Sequence, residues 1–225
     1  MLAKAAYAIQ EMTFFDAIRK ALGRKSADPT ESPEGWAEGY RLFQRGKEHY
    51  LAGGEEHSNT RRIEEAVNCF DSAIALGFEE GGIYGTRGSC LQILGYDLDA
   101  IDDFDRAIAE DKSDCSLFFM RSVSKGATGD LYGRVSDLKE SIRLAGADNT
   151  VNRPYNALAQ KRGYRDGVAG IYMAEMRLAE QDVESQELYE RLVRESRRPG
   201  LADQLGPDLV ARKRAKARRR PQGNG

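Results

Sequence analysis

The feature that most limits what this chain can fold into is its similarity to itself at a spacing of 34 residues. The segment AVNCFDSAIALG from Ala66 aligns with AIDDFDRAIAED from Ala100, so Ala66, Phe70, Ala73 and Ile74 match Ala100, Phe104, Ala107 and Ile108. The same offset gives Arg134, Leu138, Ser141 and Ile142, and then a less complete fourth set, Val168, Tyr172, Glu175 and Met176. Steps of roughly 4, 7 and 8 within each set place its members on one face of an α-helix. The preceding half also recurs: Tyr84, Arg87 and Gly88 correspond to Phe118, Arg121 and Ser122, and earlier to Leu42, Arg45 and Gly46. In that first copy Gly54 to Arg61 stand as an insertion between the halves. Gly53, Gly95, Gly129 and Gly163 fall where one helix must stop and the chain reverse, a place for the left-handed conformation glycine adopts. One such pair cannot bury its apolar face alone, so several must stack.

These residues resemble the tetratricopeptide repeat family, whose pattern runs from a large residue to a small one, then a glycine, then Ala…Phe…Ala. The resemblance covers Gly39 to Ala145 well and thins out to Ala179. It implies an all-α fold, a right-handed superhelix of helix pairs (an α-α solenoid), over 36–179, with copies at 36–78, 81–114, 115–148 and 149–179. The chain departs from the pattern where Phe78, Lys112 and Gly146 stand in place of the proline at repeat ends, and where Arg134 and Glu175 replace small residues. Phe70 and Phe104 are expected to fill the space between stacked helices.

The flanks read differently. Residues 1–22 form an amphipathic pattern, with Ala5, Ile9, Met12, Phe15, Ile18 and Leu22 on one side, expected to pack on or cap the array. Residues 23–35 are rich in Pro, Ser and Gly and read as a linker, with Trp36 opening the first repeat helix. From Gly167 a helical pattern continues towards Arg198, carrying Ile171, Ala174, Leu178, Leu188 and Leu192 at rough helical spacing. Its part over 180–200 is expected to be a capping helix with a polar outer face. Residues 201–225 read as a basic, disordered tail.

Composition narrows the chemistry. Hydrophobic residues at 40% and charged residues at 31% suit a folded soluble body. The net charge of −2 hides an asymmetry, because Arg212–Arg220 carries seven positive charges and leaves −9 on the remainder. Cys69, Cys90 and Cys115 form no CxxC pair and read as buried, inert thiols. With only His49 and His57 as histidines, no metal site is expected, and no cofactor. Neither a phosphate-binding glycine loop, a GxSxG elbow nor an HExxH motif is present, so no catalytic residue is assigned. The run Asp102, Asp103 and Asp105 reads as a solvated acidic face. No secretion-signal pattern and no apolar stretch of spanning length occurs, which makes the cytoplasm the expected location and leaves no membrane partner.

The resemblance also implies a partner-binding groove lined by the first helix of each pair. Its positions fall on Tyr40, Phe43, Lys47 and Tyr50, then Ser89, Gln92 and Ile93, then Phe119, Val123 and Ala127, with Arg153 and Lys161 from a fourth copy. Such a face suits a peptide or partner helix with apolar anchors, unless the N-terminal helix covers it. Some members hold acidic C-terminal tails with a Lys, Asn and Arg clamp. Here the clamp positions hold Phe43, Lys47, Thr86, Ser116 and Met120, so that mode is not expected. The basic residues Arg212, Lys213, Arg214, Lys216, Arg218, Arg219 and Arg220 admit three readings. They bind nucleic acid or ribosomes without sequence preference, or an acidic protein surface that includes the chain's own body, or they form an unstructured solubilising end. The leading expectation is a non-catalytic adaptor or scaffold. The alternatives are a nucleic-acid- or ribosome-associated accessory protein and a subunit within an enzyme complex.

Overall fold

The computed structural model describes residues 33–55, 59–80, 82–146, 160–161, 163, 165–195 and 208–221. The expected N-terminal helix at 1–22, most of the linker at 23–35 and nearly all of the first half of the fourth copy, Arg153 included, lie outside the described residues. Among those residues the regular structure is entirely helical: α1 (Pro33–Glu55), α2 (Thr60–Ala75), α3 (Ile83–Ile93), α4 (Asp97–Glu110), α5 (Cys115–Thr128), α6 (Leu131–Gly146), α7 (Gly167–Glu195) and α8 (Leu209–Lys216). The chain divides into two compact units, Met1–Ile83 and Tyr84–Gly225.

In the first unit α1 packs along α2. Pro33 opens α1, where a fixed φ costs nothing and the missing N–H has no helical partner anyway. The helix thus begins three residues before Trp36, inside the expected linker. Asn59 caps α2, its side chain accepting from the Arg62 N–H at 3.3 Å. Four turns of α2 bury Ala66, Phe70 and Ala73 of the stripe read from the sequence, together with Ile63 and Val67, while Ile74 is half-buried. The Phe43 ring lies 5.9 Å from Phe70 and 5.3 Å from Phe78, and Trp36 lies 5.3 Å from Phe78. Phe78, standing in place of a proline, is therefore a core residue of this pair. The glycine at 46 has a packing cause, since a Cβ there would sit 2.5 Å from Phe70 Cε1. Gly53 does not end a helix as expected. It lies inside α1 and is buried, with Ile63 Cδ1 2.7 Å from where its Cβ would stand. The helix continues through it to Glu55, so part of the insertion is helical.

In the second unit α4 packs on α5, α5 on α6 and α6 on α7, while α8 lies against α5. Turns of a few residues join α3 to α4 and α5 to α6. Gly95 and Gly129, 34 apart, take φ of 77° and 86° in those turns, as their position in the pattern requires. Phe104 is fully buried, and a Cβ on Gly88 would meet its ring at 3.0 Å, repeating the Gly46–Phe70 relation of the first unit. Leu138 and Ser141 are fully buried at the equivalent places on α6. Helix α7 is one continuous element of 29 residues, so the expected boundary between a fourth repeat and a capping helix at 179/180 falls inside it. Its buried face is Val168, Tyr172, Met176, Ala179 and Gln186. The first three belong to the fourth copy of the pattern. Cys115, Leu144, Val168 and Tyr172 form one cluster, and Leu138, Met176 and Ala179 another. Of the residues read at rough helical spacing, Ile171 packs on the first cluster, while Leu178, Leu188 and Leu192 face outward at 53%, 47% and 40% exposure.

Candidate functional site

A set of charged residues in the second unit joins its helices to one another. Arg87 on α3 forks onto Asp103 on α4, Nε to Oδ2 at 2.7 Å and Nη2 to Oδ1 at 2.6 Å. Thirty-four residues on, Arg121 on α5 does the same to Asp137 on α6 at 2.8 and 2.6 Å. Both aspartates are buried, and Lys125 adds a third contact to Asp137 at 2.9 Å. Arg121 also donates to Asp105 on α4, so one guanidinium joins three helices. Its pKa is raised chiefly by the bonds to Asp137. Asp103 was expected on a solvated face; it is buried because its two carboxylate oxygens both accept from Arg87. The first copy has no such pair. Arg45 occurs at the arginine place, but Cys69 stands where the aspartate would be.

The two departures on the small-residue face complement one another. Arg134 on α6 donates from Nη2 to Glu175 and from Nη1 to Asp182 on α7, each at 3.0 Å. An arginine replacing the small residue at 134 is accommodated because Gly126 of α5 leaves room for its stem, with Cδ 2.8 Å from the position of a Cβ there. Glu175, the other departure, supplies the countercharge.

The expected groove residues divide into packed and open ones. Phe43 is buried in the first core, and Tyr40 stacks on Trp36 at 6.1 Å and meets Phe78 edge-on at 5.9 Å. Phe119 stacks on Tyr172 of α7 at 4.5 Å. Gln92 donates to the Met120 carbonyl at 2.8 Å and to Ser124 Oγ at 2.7 Å, joining α3 to α5. Ser89 donates to its own helix at Gly85 O, 2.9 Å away. Tyr40, Phe43, Phe119 and Gln92 thus carry contacts within their units, because a first helix has neighbours on more than one side, while the Ser89 bond is internal to its own helix. Tyr50 is half-buried, and Lys47 is exposed with Nζ 5.3 Å from the Phe43 ring centre. In the second unit Ile93 (44%), Val123 (40%) and Ala127 remain open. Ile93 adjoins Gln92 and Val123 adjoins Ser124, so the Gln92–Ser124 bond brings both neighbourhoods together. Lys161 is exposed.

The basic segment departs from the reading of a disordered end and agrees with the alternative in which it meets the chain's own acidic body. Residues 208–221 are described, and α8 occupies Leu209–Lys216 where a disordered tail was expected. Asp208 caps it, accepting from Val210 N at 2.7 Å and Ala211 N at 3.2 Å. Burial alone raises the Asp208 carboxyl, but bonds from Ala211, Gln186 and Val210 together with the Arg214 charge hold it below its usual range. Lys213 Nζ lies 3.3 Å from Asp182, and Arg219 Nη1 lies 2.9 Å from Asp99 and 2.6 Å from Asp102. Arg218 sits over the Tyr96 ring at 6.0 Å. Burial raises the pKa of Asp97, with a Ser124 bond and the Arg218 charge opposing it. A cleft of about 590 Å³ opens between the Gly129 turn, α7 and α8. Of its carboxylates, Asp208 caps α8, Asp130 accepts from the Gly133 N–H at 2.9 Å, and Glu190 accepts from Gln186 Nε2 at 3.0 Å.

The thiols sit in apolar surroundings. Burial pushes the Cys90 thiol up to about 12. Cys69 is raised by burial against the lowering field of Arg45, with Glu65 adding to the rise. Cys115 Sγ lies 3.8 Å from the Tyr172 hydroxyl, itself raised above the usual phenol range by burial. Among the described residues no group of three or more His, Cys, Asp or Glu is placed to hold a metal ion, and no helix is long and apolar enough to cross a membrane. No protein-family model matches the chain, and no curated protein or solved structure matches it either.

Proposed function

We propose that this chain is a non-catalytic interaction protein of the tetratricopeptide-like kind, in which stacked helix pairs carry a partner protein. The observation that carries the reading is the recurrence, at the sequence offset of 34, of one structural unit in three dimensions. Arg87–Asp103 and Arg121–Asp137 fork alike, Phe70 and Phe104 each seat against a glycine, and Gly95 and Gly129 turn the chain with the same φ sign. Half-buried arginines and their carboxylate partners in this arrangement tie helix to helix. In the cleft Asp208 and Asp130 hold helix starts and Glu190 accepts from Gln186, uses that compete with acid–base chemistry. Superhelical stacking of the pairs belongs to this proposal, as does a partner-bearing surface on their first helices.

The binding surface in this reading is smaller than the groove positions implied. It centres on Ile93 of α3 and on Val123 and Ala127 of α5, which are open to solvent. An apolar patch flanked by polar residues is where a partner helix or extended segment gains most from burial. Lysine-directed or photoactivated crosslinking of the full chain in its native extract, read by mass spectrometry, tests it. Crosslinks to one partner from residues around Ile93 and Val123 support the reading, and crosslinks confined to other surfaces refute it.

A further inference from the structure

We propose that residues 208–220 are a nucleic-acid-binding arm stowed on the chain's own acidic surface and released when phosphates compete for its arginines. The inference goes beyond the protein-adaptor reading and does not depend on it. The arm follows the repeat: Val210 O lies 3.0 Å and Lys213 Cβ 3.4 Å from the place of a Cβ on Gly129, and Arg218 Nη2 lies 3.1 Å from that on Gly95. These are the equivalent turns of successive helix pairs. A side chain at either turn would crowd the arm.

What holds the arm is chiefly electrostatic and only partly buried, with Leu209 and Val210 half-buried beside it. Helix α8 contains no buried residue. Arg219 is 55% exposed and its partner Asp102 58%. Pairs of this kind contribute little and are screened by salt. Attachment of this strength can be exchanged. Arg212 and Lys216, one turn apart, are exposed on α8 and give an incoming anion its first contacts. Lys213, Arg218 and Arg219 are the charges to be won from Asp182, Asp97, Asp99 and Asp102.

Phosphate is the favoured competitor. Five of the seven cations in 212–220 are arginine, whose planar fork matches phosphate oxygens in pairs. Duplex DNA also presents about one negative charge per 1.7 Å of its axis, a density the separate aspartates do not reach. No aromatic residue interleaves with the basic ones, so contact is with the backbone and independent of sequence.

The test uses the full chain and a DNA duplex of about 20 base pairs of arbitrary sequence, titrated at about 50 and 200 mM salt. The Asp99→Asn/Asp102→Asn/Asp182→Asn variant loses the arm's seats. Glu180→Gln/Glu184→Gln/Glu195→Gln makes the same change in charge on exposed residues away from the arm. The first variant is expected to bind at least about tenfold more tightly than wild type, and the second to gain less than about twofold. Equal gains would show a general charge effect and overturn the proposal. Hydrogen exchange on the wild type gives a readout free of substitutions. Amides of 211–217 should lose protection when duplex is added, and unchanged exchange at saturating duplex would refute stowing. If poly-glutamate released the arm at lower concentration than duplex, nucleic acid would be the wrong partner and the proposal would fall.

Discussion

Replacing Asp137 by Asn tests most sharply whether the repeated arginine–aspartate fork holds the helix pairs. Asp137 is 5% exposed and receives Arg121 at 2.6 Å and Lys125 at 2.9 Å, whose side chains are 16% and 18% exposed. Neutralising it leaves two poorly solvated cations. Arg121 keeps only the outer contact to Asp105, a residue 55% exposed. Breaking a buried pair by removing one partner costs about 3–5 kcal/mol, because the other charge stays desolvated. The remaining Asp105 contact and partial solvent access put this case at the lower end, about 3 kcal/mol. For a chain of this size that lowers Tm by about 6–12 °C. The comparison is Glu140→Gln, which removes the exposed Arg143 pair at 65% and 35% exposure and should leave Tm nearly unchanged. Thermal unfolding followed by circular dichroism reads both. Adding Arg121→Gln to Asp137→Asn should restore part of the loss, since the stranded charge is then gone. An Asp137→Asn chain that melts like the Glu140→Gln chain would refute the fork as a structural element.

Further outcomes follow from the same geometry. Phe104→Ala should destabilise by about 3–5 kcal/mol, because the ring is fully buried against Gly88 and leaves a cavity; a loss under about 1 kcal/mol in urea unfolding would contradict that packing. At about pH 8 a disulfide reagent should label Cys69 slowly and leave Cys90 and Cys115 untouched until the chain is unfolded. Rapid labelling of Cys90 would contradict its burial. The Asp208 carboxyl is held below its ordinary range in the folded chain, so the cap on α8 is fully present above the unfolded carboxylate pKa and is lost as pH falls through the folded value. Protection of the α8 amides should therefore fall in acid, and Asp208→Ala should weaken that dependence, leaving the part that Asp182 contributes through Lys213.

Much of the fold is readable in the sequence because its period is carried by residues whose burial has one cause. Ala66, Phe70 and Ala73, with their equivalents at 100, 104 and 107, lie within 4% of full burial. Only small residues and one large ring fit between helices that approach so closely. The fork was less legible. Asp103 reads as one acid among several, and a buried aspartate has no composition of its own. The signal was present as two arginines and two aspartates sharing the offset of 34, with arginine and aspartate 16 residues apart in each pair. The packing of Phe43 and Phe119 was not legible, because a first helix has apolar positions towards its own pair and towards the next helix, and spacing alone does not separate those sides. The helix in the tail was hidden by its charge, although contact with the chain's own acidic body was among the readings. A run of arginines is self-repelling when isolated, yet Asp99, Asp102 and Asp182 neutralise it here, and the Asp208-Leu209-Val210 start carried a readable cap. Arg134 and Glu175, each a defect when compared with the pattern singly, form one contact that pattern matching treats as two mismatches.

The interaction reading rests most directly on one affinity comparison. The partner segment identified by crosslinking is titrated against the full wild-type chain and against Ile93→Asp/Val123→Asp, whose substituted residues are 44% and 40% exposed and outside the described cores. Kd is expected to rise at least about tenfold with Tm unchanged, as for loss of a central apolar anchor. A partner that binds the variant as tightly as the wild type would contradict it.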